Sequence, residues 1–193
     1  MINNDVKSCA SNEPISPKRR RVIEIAVAGV AASFAGSSVA ETAPNAGDRL
    51  VLDDAEGEPV ALRAADLKVG KPVLAFAFDK ATKEVRNGSR LQKIMLMKLD
   101  EADLNAETKE RAASGVIAFS AICTHQACDV KTWIAKEKAL VCFCHSTKFL
   151  PLEAGKVESG PATRALPTIP LKLEGDELVL AGTFSARTGP SAS

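Results

Sequence analysis

Residues 123–128 read "CTHQAC" and residues 142–147 read "CFCHST". These two runs hold four of the chain's five cysteines and both of its histidines. The pattern is C-x-H-x2-C, a spacer, then C-x-C-H. Each half sets one Cys close to one His: Cys123 with His125, and Cys142 with His145. A structural zinc takes Cys and His at short spacings. Six candidate ligands exceed what one tetrahedral ion needs, however, and C-x-C-H is not its usual arrangement. Two plain disulfides would leave the histidines without a role. A Cys nucleophile with a His base needs that His free, and the sequence carries no separate oxyanion signature. A two-iron cluster with two thiolates on one iron and two imidazoles on the other requires the observed split, because each loop then gives one ligand to each iron. The residues alone leave the zinc and disulfide alternatives standing.

The flanks read as strands. Ala75-Phe76-Ala77-Phe78 and Ile94-Met95-Leu96-Met97 lack helical periodicity and fit partly or fully buried strands. "NGS" at 87–89 is a turn signal before the second of these. "GVIAFSAI" (115–122) is a further strand that leads straight into Cys123. One helix is expected over "LDEADLNAETKERAAS" (99–114), acidic at its start, with Lys109 and Arg111 late and Gly115 beyond. "GKVESGPATRALPTIP" is a Gly/Pro loop, and "LKLEGDELVLAG" is a hairpin about Gly175-Asp176. The segment "SARTGPSAS" at 185–193 reads as frayed. The result is an all-β domain with the Cys/His loops set into it.

Bulk composition narrows the function. A 46% hydrophobic and 25% charged share is that of a globular domain. A net charge of +1 gives no electrostatic case for nucleic acid, and one Trp with no Tyr offers no stacking platform. The first forty residues differ from the rest. "SPKRRRVIEIAVAGVAASFAGSSVA" has a basic start, an apolar run over 25–34 and small residues ending at Ala40. That layout predicts an export signal over 1–40, and Arg19-Arg20 suggests the twin-arginine route. Glu24 departs from the usual pattern. Cleavage after Ala40 would leave a net charge of about −1. If the segment is not cleaved, it is a membrane anchor holding the domain on the periplasmic side, although it is shorter and less apolar than a span of about 20 residues. Cys9 precedes the apolar run and has no expected role.

The motif pair closely resembles the Rieske [2Fe-2S] signature, C-T-H-x-G-C followed by C-P-C-H-x-S/T. The later "SGPATRALP" resembles the G-P-A…L-P loop of the same family, so the similarity extends over about 46–184. The resemblance implies an antiparallel β-sandwich with an inserted cluster-binding subdomain and one short helix. Within 41–193, the base would be 46–120 and 165–184, and the subdomain 121–164. It further implies that Cys123 and Cys142 bind one iron, that His125 and His145 bind the other, and that Cys128 and Cys144 form a disulfide. An oxidising compartment would admit that disulfide. The implied function is one-electron transfer, with the chain not catalytic alone. Family potentials run from roughly −150 to +300 mV, because neutral imidazoles replace two thiolates.

Departures from the family pattern sharpen the expectation. With no third histidine, the chain cannot build the separate 2-His-1-carboxylate iron of a Rieske oxygenase. Rieske subunits of quinol-oxidising cytochrome bc complexes read C-P-C-H-G-S-x-Y, with Ser and Tyr hydroxyls on sulfur. Here Thr147 keeps a hydroxyl and Phe149 does not, which predicts a potential below theirs but in the upper half of the range. The C-H-x-T-x-F form resembles the small Rieske subunit of arsenite oxidase. The expected partners are therefore a larger redox subunit, a molybdopterin-containing one by that resemblance, and a cytochrome c or cupredoxin as acceptor. Ala127 stands where Gly is usual, Phe143 where Pro is, and Ser146 where the bc subunits have Gly. A positive φ at 127 or 146 would cost about 1 kcal/mol. Trp133, Met95 and Met97 are expected to be packing residues, and Lys148 a solvated charge.

Overall fold

The computed structural model describes residues 43–54 and 57–191. The expected export segment 1–40, with Cys9, lies outside the described residues. Among the described residues, no helix is long and apolar enough to cross a membrane.

Eleven strands form two antiparallel sheets among the described residues. The larger sheet takes β1 (Arg49–Leu52), β2 (Val73–Asp79), β3 (Glu84–Val85), β4 (Ile94–Lys98), β5 (Val116–Ser120), β10 (Leu171–Glu174) and β11 (Glu177–Leu180). Its order is β10-β11-β1-β2-β4-β5, with β3 paired to β2. The smaller sheet is β6 (Thr132–Ile134), β7 (Ala139–Cys142), β8 (Thr147–Leu150) and β9 (Lys156–Ser159), in sequence order. The larger sheet curls back toward itself, since Ser120 N–H donates to Pro167 O at 2.8 Å and Ile169 N–H to Ala118 O at 3.0 Å.

The continuous apolar runs follow from this layering. Side chains alternate across a strand. On β4 and β5, Ile94, Leu96, Val116 and Ala118 enter the interior of the curled sheet with Leu50, Ala75, Leu178 and Leu180. The alternate residues Met95, Met97, Ile117 and Phe119 face the other way, onto Leu140, Phe149 and Leu166 of the smaller sheet and its loops. Both faces are covered, so neither needs polar residues. Met95 and Met97 are fully buried packing residues, and Trp133 is half-buried against the same core.

The expected helix over 99–114 is shorter than its pattern. A 3₁₀ turn at Glu101–Asp103 and α1 (Ala106–Arg111) replace it, with Leu104 and Asn105 extended between them. Two side chains cause the break. Asp100 accepts from Ala102 N–H at 3.0 Å and Asn105 from Thr108 N–H at 2.8 Å, so each starts its own turn. The hairpin about Gly175-Asp176 forms as expected, with Glu174 opposite Glu177. The segment expected to fray is tied down over its described part. Ser185 exchanges two bonds with Thr168, and Arg164 holds the carbonyls of Arg187 and Gly189.

Candidate metal centre

Three loops meet at one end of the smaller sheet. The first leaves β5 and closes on itself. Ile122 bridges to Asp129, Cys123 N–H donates to Cys128 O at 2.8 Å, and Ala127 N–H donates to Cys123 O at 3.1 Å. Ala127 sits at φ 57, the left-handed turn that brings the chain back. The second loop is the four-residue connection from β7 to β8, with Cys142 opposite Thr147 at its base. It reverses at Ser146, φ 56. The third follows β9. Gly160, at φ +97, lies so close to Thr147 that an added Cβ would stand 2.5 Å from its Cα. Only glycine fits there. This close approach presses the third loop onto the start of β8.

The first two loops bring the motif residues together in pairs. Cys123 and Cys142 are free thiols, each buried, with their side chains in contact. Burial pushes the Cys123 thiol up, and the adjacent Cys142 adds to the rise. His125, half-buried, and His145, exposed, face each other edge to face with ring centroids 4.7 Å apart. Cys128 and Cys144 form a disulfide between the two loops. The Cys142 sulfur lies within 4.8 Å of both disulfide sulfurs. That trio is not a three-thiolate metal site, because two of its members are bonded to each other.

Two polar atoms are left over. His125 Nδ1 and Thr147 Oγ1 are buried and have no hydrogen-bond partner among the described residues. Such groups cost about 1–3 kcal/mol unless something accepts or donates to them. Two buried cysteines, one orphaned imidazole nitrogen and one orphaned hydroxyl, all around the same loops, are what a polar guest between the loops would satisfy. The residues therefore fit a cluster with both sulfur and nitrogen ligands.

Residues 58–170 match the family model of the Rieske [2Fe-2S] domain. The chain belongs to the Rieske family. Its cofactor is a [2Fe-2S] cluster and its function is iron–sulfur electron transfer. The chain is 32% identical over 171 residues to a Rieske subunit of respiratory nitrate reductase from Haloferax mediterranei, covering 86% of this chain and 73% of that one. It is 36% identical over 104 residues to the cytochrome bc1 complex Rieske iron–sulfur subunit of Corynebacterium glutamicum, covering 51% of this chain and 26% of that one. It thus spans about a quarter of the length of that bc1 subunit. The soluble domain of Rieske protein II from Sulfolobus acidocaldarius is a structural neighbour with TM-score 0.40 and 22% identity, over 52% of this chain and 68% of that one.

Sequence reading missed the supports of the site. Thr124, 4% exposed, donates from Oγ1 to Arg164 O at 2.7 Å and so ties the first loop to the third. Its place between Cys123 and His125 was the only signal. Lys148 pairs with Glu137 at 2.6 Å across the spacer, and this partner raises the lysine's pKa. Phe143 projects from the tip of the second loop at 70% exposure.

Proposed function

We propose that Cys123 and Cys142 hold one iron of the cluster, that His125 and His145 hold the other, and that the chain carries single electrons for a larger oxidoreductase in the periplasm. The observation that carries the ligand assignment is the segregation by depth: two touching thiols fully buried, two facing imidazoles nearer the surface, and the disulfide beside them. Bound iron would reverse the titration bias at Cys123, because a nearby cation favours thiolate over thiol. The cluster supplies one-electron chemistry when bound. The chain's own residues do the rest. The disulfide joins the two ligand loops, and Thr147 Oγ1, buried and unpartnered among the described residues, would donate to a sulfur of the cluster. Phe149, fully buried and without a hydroxyl, donates nothing. The exposed His145 leaves one edge of the site at the surface, where a partner can approach.

The partner reading draws on two supports. The nitrate reductase Rieske subunit is similar over 86% of this chain, and the bc1 subunit over 51%. Both relatives are named as subunits of larger redox complexes. The wider coverage favours a subunit of a substrate-oxidising or substrate-reducing enzyme, molybdenum-containing as the sequence resemblance suggests, with a cytochrome c or cupredoxin at the other end. Export by the twin-arginine route rests on residues 1–40.

The deciding test is the purified protein. Red-brown colour, a rhombic EPR signal on reduction, and two irons per chain are expected. Colourless protein with one zinc per chain overturns the assignment. Cys142→Ser should abolish the EPR signal while leaving the far-UV circular dichroism of the strands. A periplasmic form starting at Glu41 supports the soluble-subunit reading, whereas an intact start and co-purifying cytochrome b support the bc-type alternative.

A further inference from the structure

One residue bonds both the first ligand loop and the segment at 187–189 beside it. The carbonyl of Arg164 accepts the Thr124 hydroxyl at 2.7 Å, next to Cys123 and His125. Its guanidinium donates through Nη2 to Gly189 O at 2.6 Å and through Nη1 to Arg187 O at 3.2 Å. Gly189, buried and at φ +71, lies against the same loop. A Cβ added there would stand 3.2 Å from Leu91, 3.7 Å from Ile122 and 3.9 Å from the Ala127 methyl. The segment is fixed at its other end as well. Ser185 N–H donates to Thr168 O at 2.8 Å and Thr168 N–H to Ser185 Oγ at 3.0 Å. Thr168 in turn bridges to Phe119 on β5. The chain from 185 to 189 therefore runs from the edge of the larger sheet to the loop that carries Cys123, His125 and Cys128.

Small, polar segments of this kind ordinarily fray. Two charge-assisted bonds from one planar guanidinium oppose that. The loop they support needs support. Ala127 holds a left-handed conformation that costs about 1 kcal/mol, and only two internal backbone bonds close the turn around it.

We propose that Arg164 and residues 185–191 form a strap that positions the 123–128 loop, with Arg164 a positioning residue for Cys123 and His125. The proposal rests on the ligand assignment above for its functional meaning, but the strap itself can be judged without the cluster. Arg164 is partly exposed, so its replacement does not empty a core.

The test compares the full chain with Arg164→Ala, Arg164→Lys and a stop after Phe184. Amide hydrogen exchange is measured on both apo and cluster-loaded protein, and the reduction potential on the loaded form. In Arg164→Ala and in the shortened chain, the Cys123 and Ala127 amides should exchange about tenfold faster (~1.4 kcal/mol), while amides of β2 and β4 keep their wild-type rates. The potential should shift in both. Arg164→Lys should fall between, since an ammonium can keep one of the two carbonyls; the Thr124 bond is to the backbone and persists in every side-chain variant. Unchanged loop exchange and potential in both variants overturn the strap. So does a uniform acceleration across β2 and β4, which would make Arg164 a general stabiliser. A wild-type protein lacking the EPR signal would sink the ligand assignment instead, and exchange in the apo chain would still decide on the strap.

Discussion

The two faces of the β4–β5 wall are built on different principles. Toward the interior of the larger sheet, Ile94, Leu96, Val116 and Ala118 pack in a cluster of buried apolar residues, with the buried Ser120 opposite Ile94. Toward the smaller sheet, Met95, Met97, Ile117 and Phe119 share their core with Cys123, Cys142 and the half-buried Cys128. The first face is finished by burial alone. The second ends in free thiols, two orphaned polar atoms, a covalent tie and, in its ligand loops, the left-handed Ala127 and Ser146, so it is finished only by a cross-link and a guest. One domain thus contains a self-sufficient half and a conditional half. Mutations should separate them: changes on the first face move stability, and changes on the second move the cofactor.

The largest effect is expected on the self-sufficient face. Ile94→Ala empties a fully buried position and should lower unfolding stability by about 2–5 kcal/mol. The cluster of molecules that remain folded should keep its wild-type potential. Denaturant titration and voltammetry on the same sample check this. A potential that moved with stability would mean the two halves are not separable.

The disulfide is the next lever. Removing it with the pair Cys128→Ser and Cys144→Ser should cost about 2–4 kcal/mol. The loss should concentrate at the cluster end, seen as faster bleaching of the visible spectrum on warming. The β10–β11 hairpin should keep its amide protection. Equal loss of protection in both sheets would contradict a division into halves.

How much of this was legible in the sequence differs between the halves for the same reason. The β10–β11 hairpin was legible because Gly175-Asp176 interrupts two alternating runs, and both signals are local. The strands β4 and β5 were legible from their unbroken apolar runs. The helix expected within 99–114 is present but shorter than its pattern, because Asp100 and Asn105 offer their carboxylate and amide oxygens to nearby N–H groups, which periodicity does not register. At the site, the spacing of the motif residues was enough to single them out. The depth ordering was not, because it depends on how loops 123–128 and 142–147 abut. The grip of Arg164 was invisible too, since its partners lie 40, 23 and 25 residues away.

Hydroxyls facing the site provide a finer test of the conditional half. Thr147→Val removes a buried oxygen that has no protein partner while keeping the shape. It should leave apo stability unchanged or slightly raised, because no protein hydrogen bond is lost. If Oγ1 donates to the cluster, the reduction potential should fall by roughly 60 mV, the one-electron equivalent of about 1.4 kcal/mol. Phe149→Tyr should move it upward. A destabilised apo protein with an unmoved potential would show that the hydroxyl serves the fold and not the cofactor.

The smallest effects concern the left-handed residues of the two ligand loops, Ala127 and Ser146, and they bear on the strap as well. Ser146 is exposed at the turn between β7 and β8, at φ 56. Ser146→Gly relieves the backbone without removing a packed group, and should stabilise by about 0.5–1 kcal/mol. Ala127 has nearly the same φ, 57, but its methyl lies on the side of Gly189, where a Cβ added to the glycine would stand 3.9 Å from it. Ala127→Gly gains the same backbone relief and gives up that contact, so its net gain should be smaller. In a chain stopped after Phe184, where that segment no longer lies beside the methyl, the two substitutions should become more nearly equal. Thermal unfolding of the four combinations measures the difference directly. If Ala127→Gly and Ser146→Gly already match in the full chain, the segment at Gly189 contributes no packing to the ligand loop, and any influence of Arg164 would have to pass through Thr124 alone.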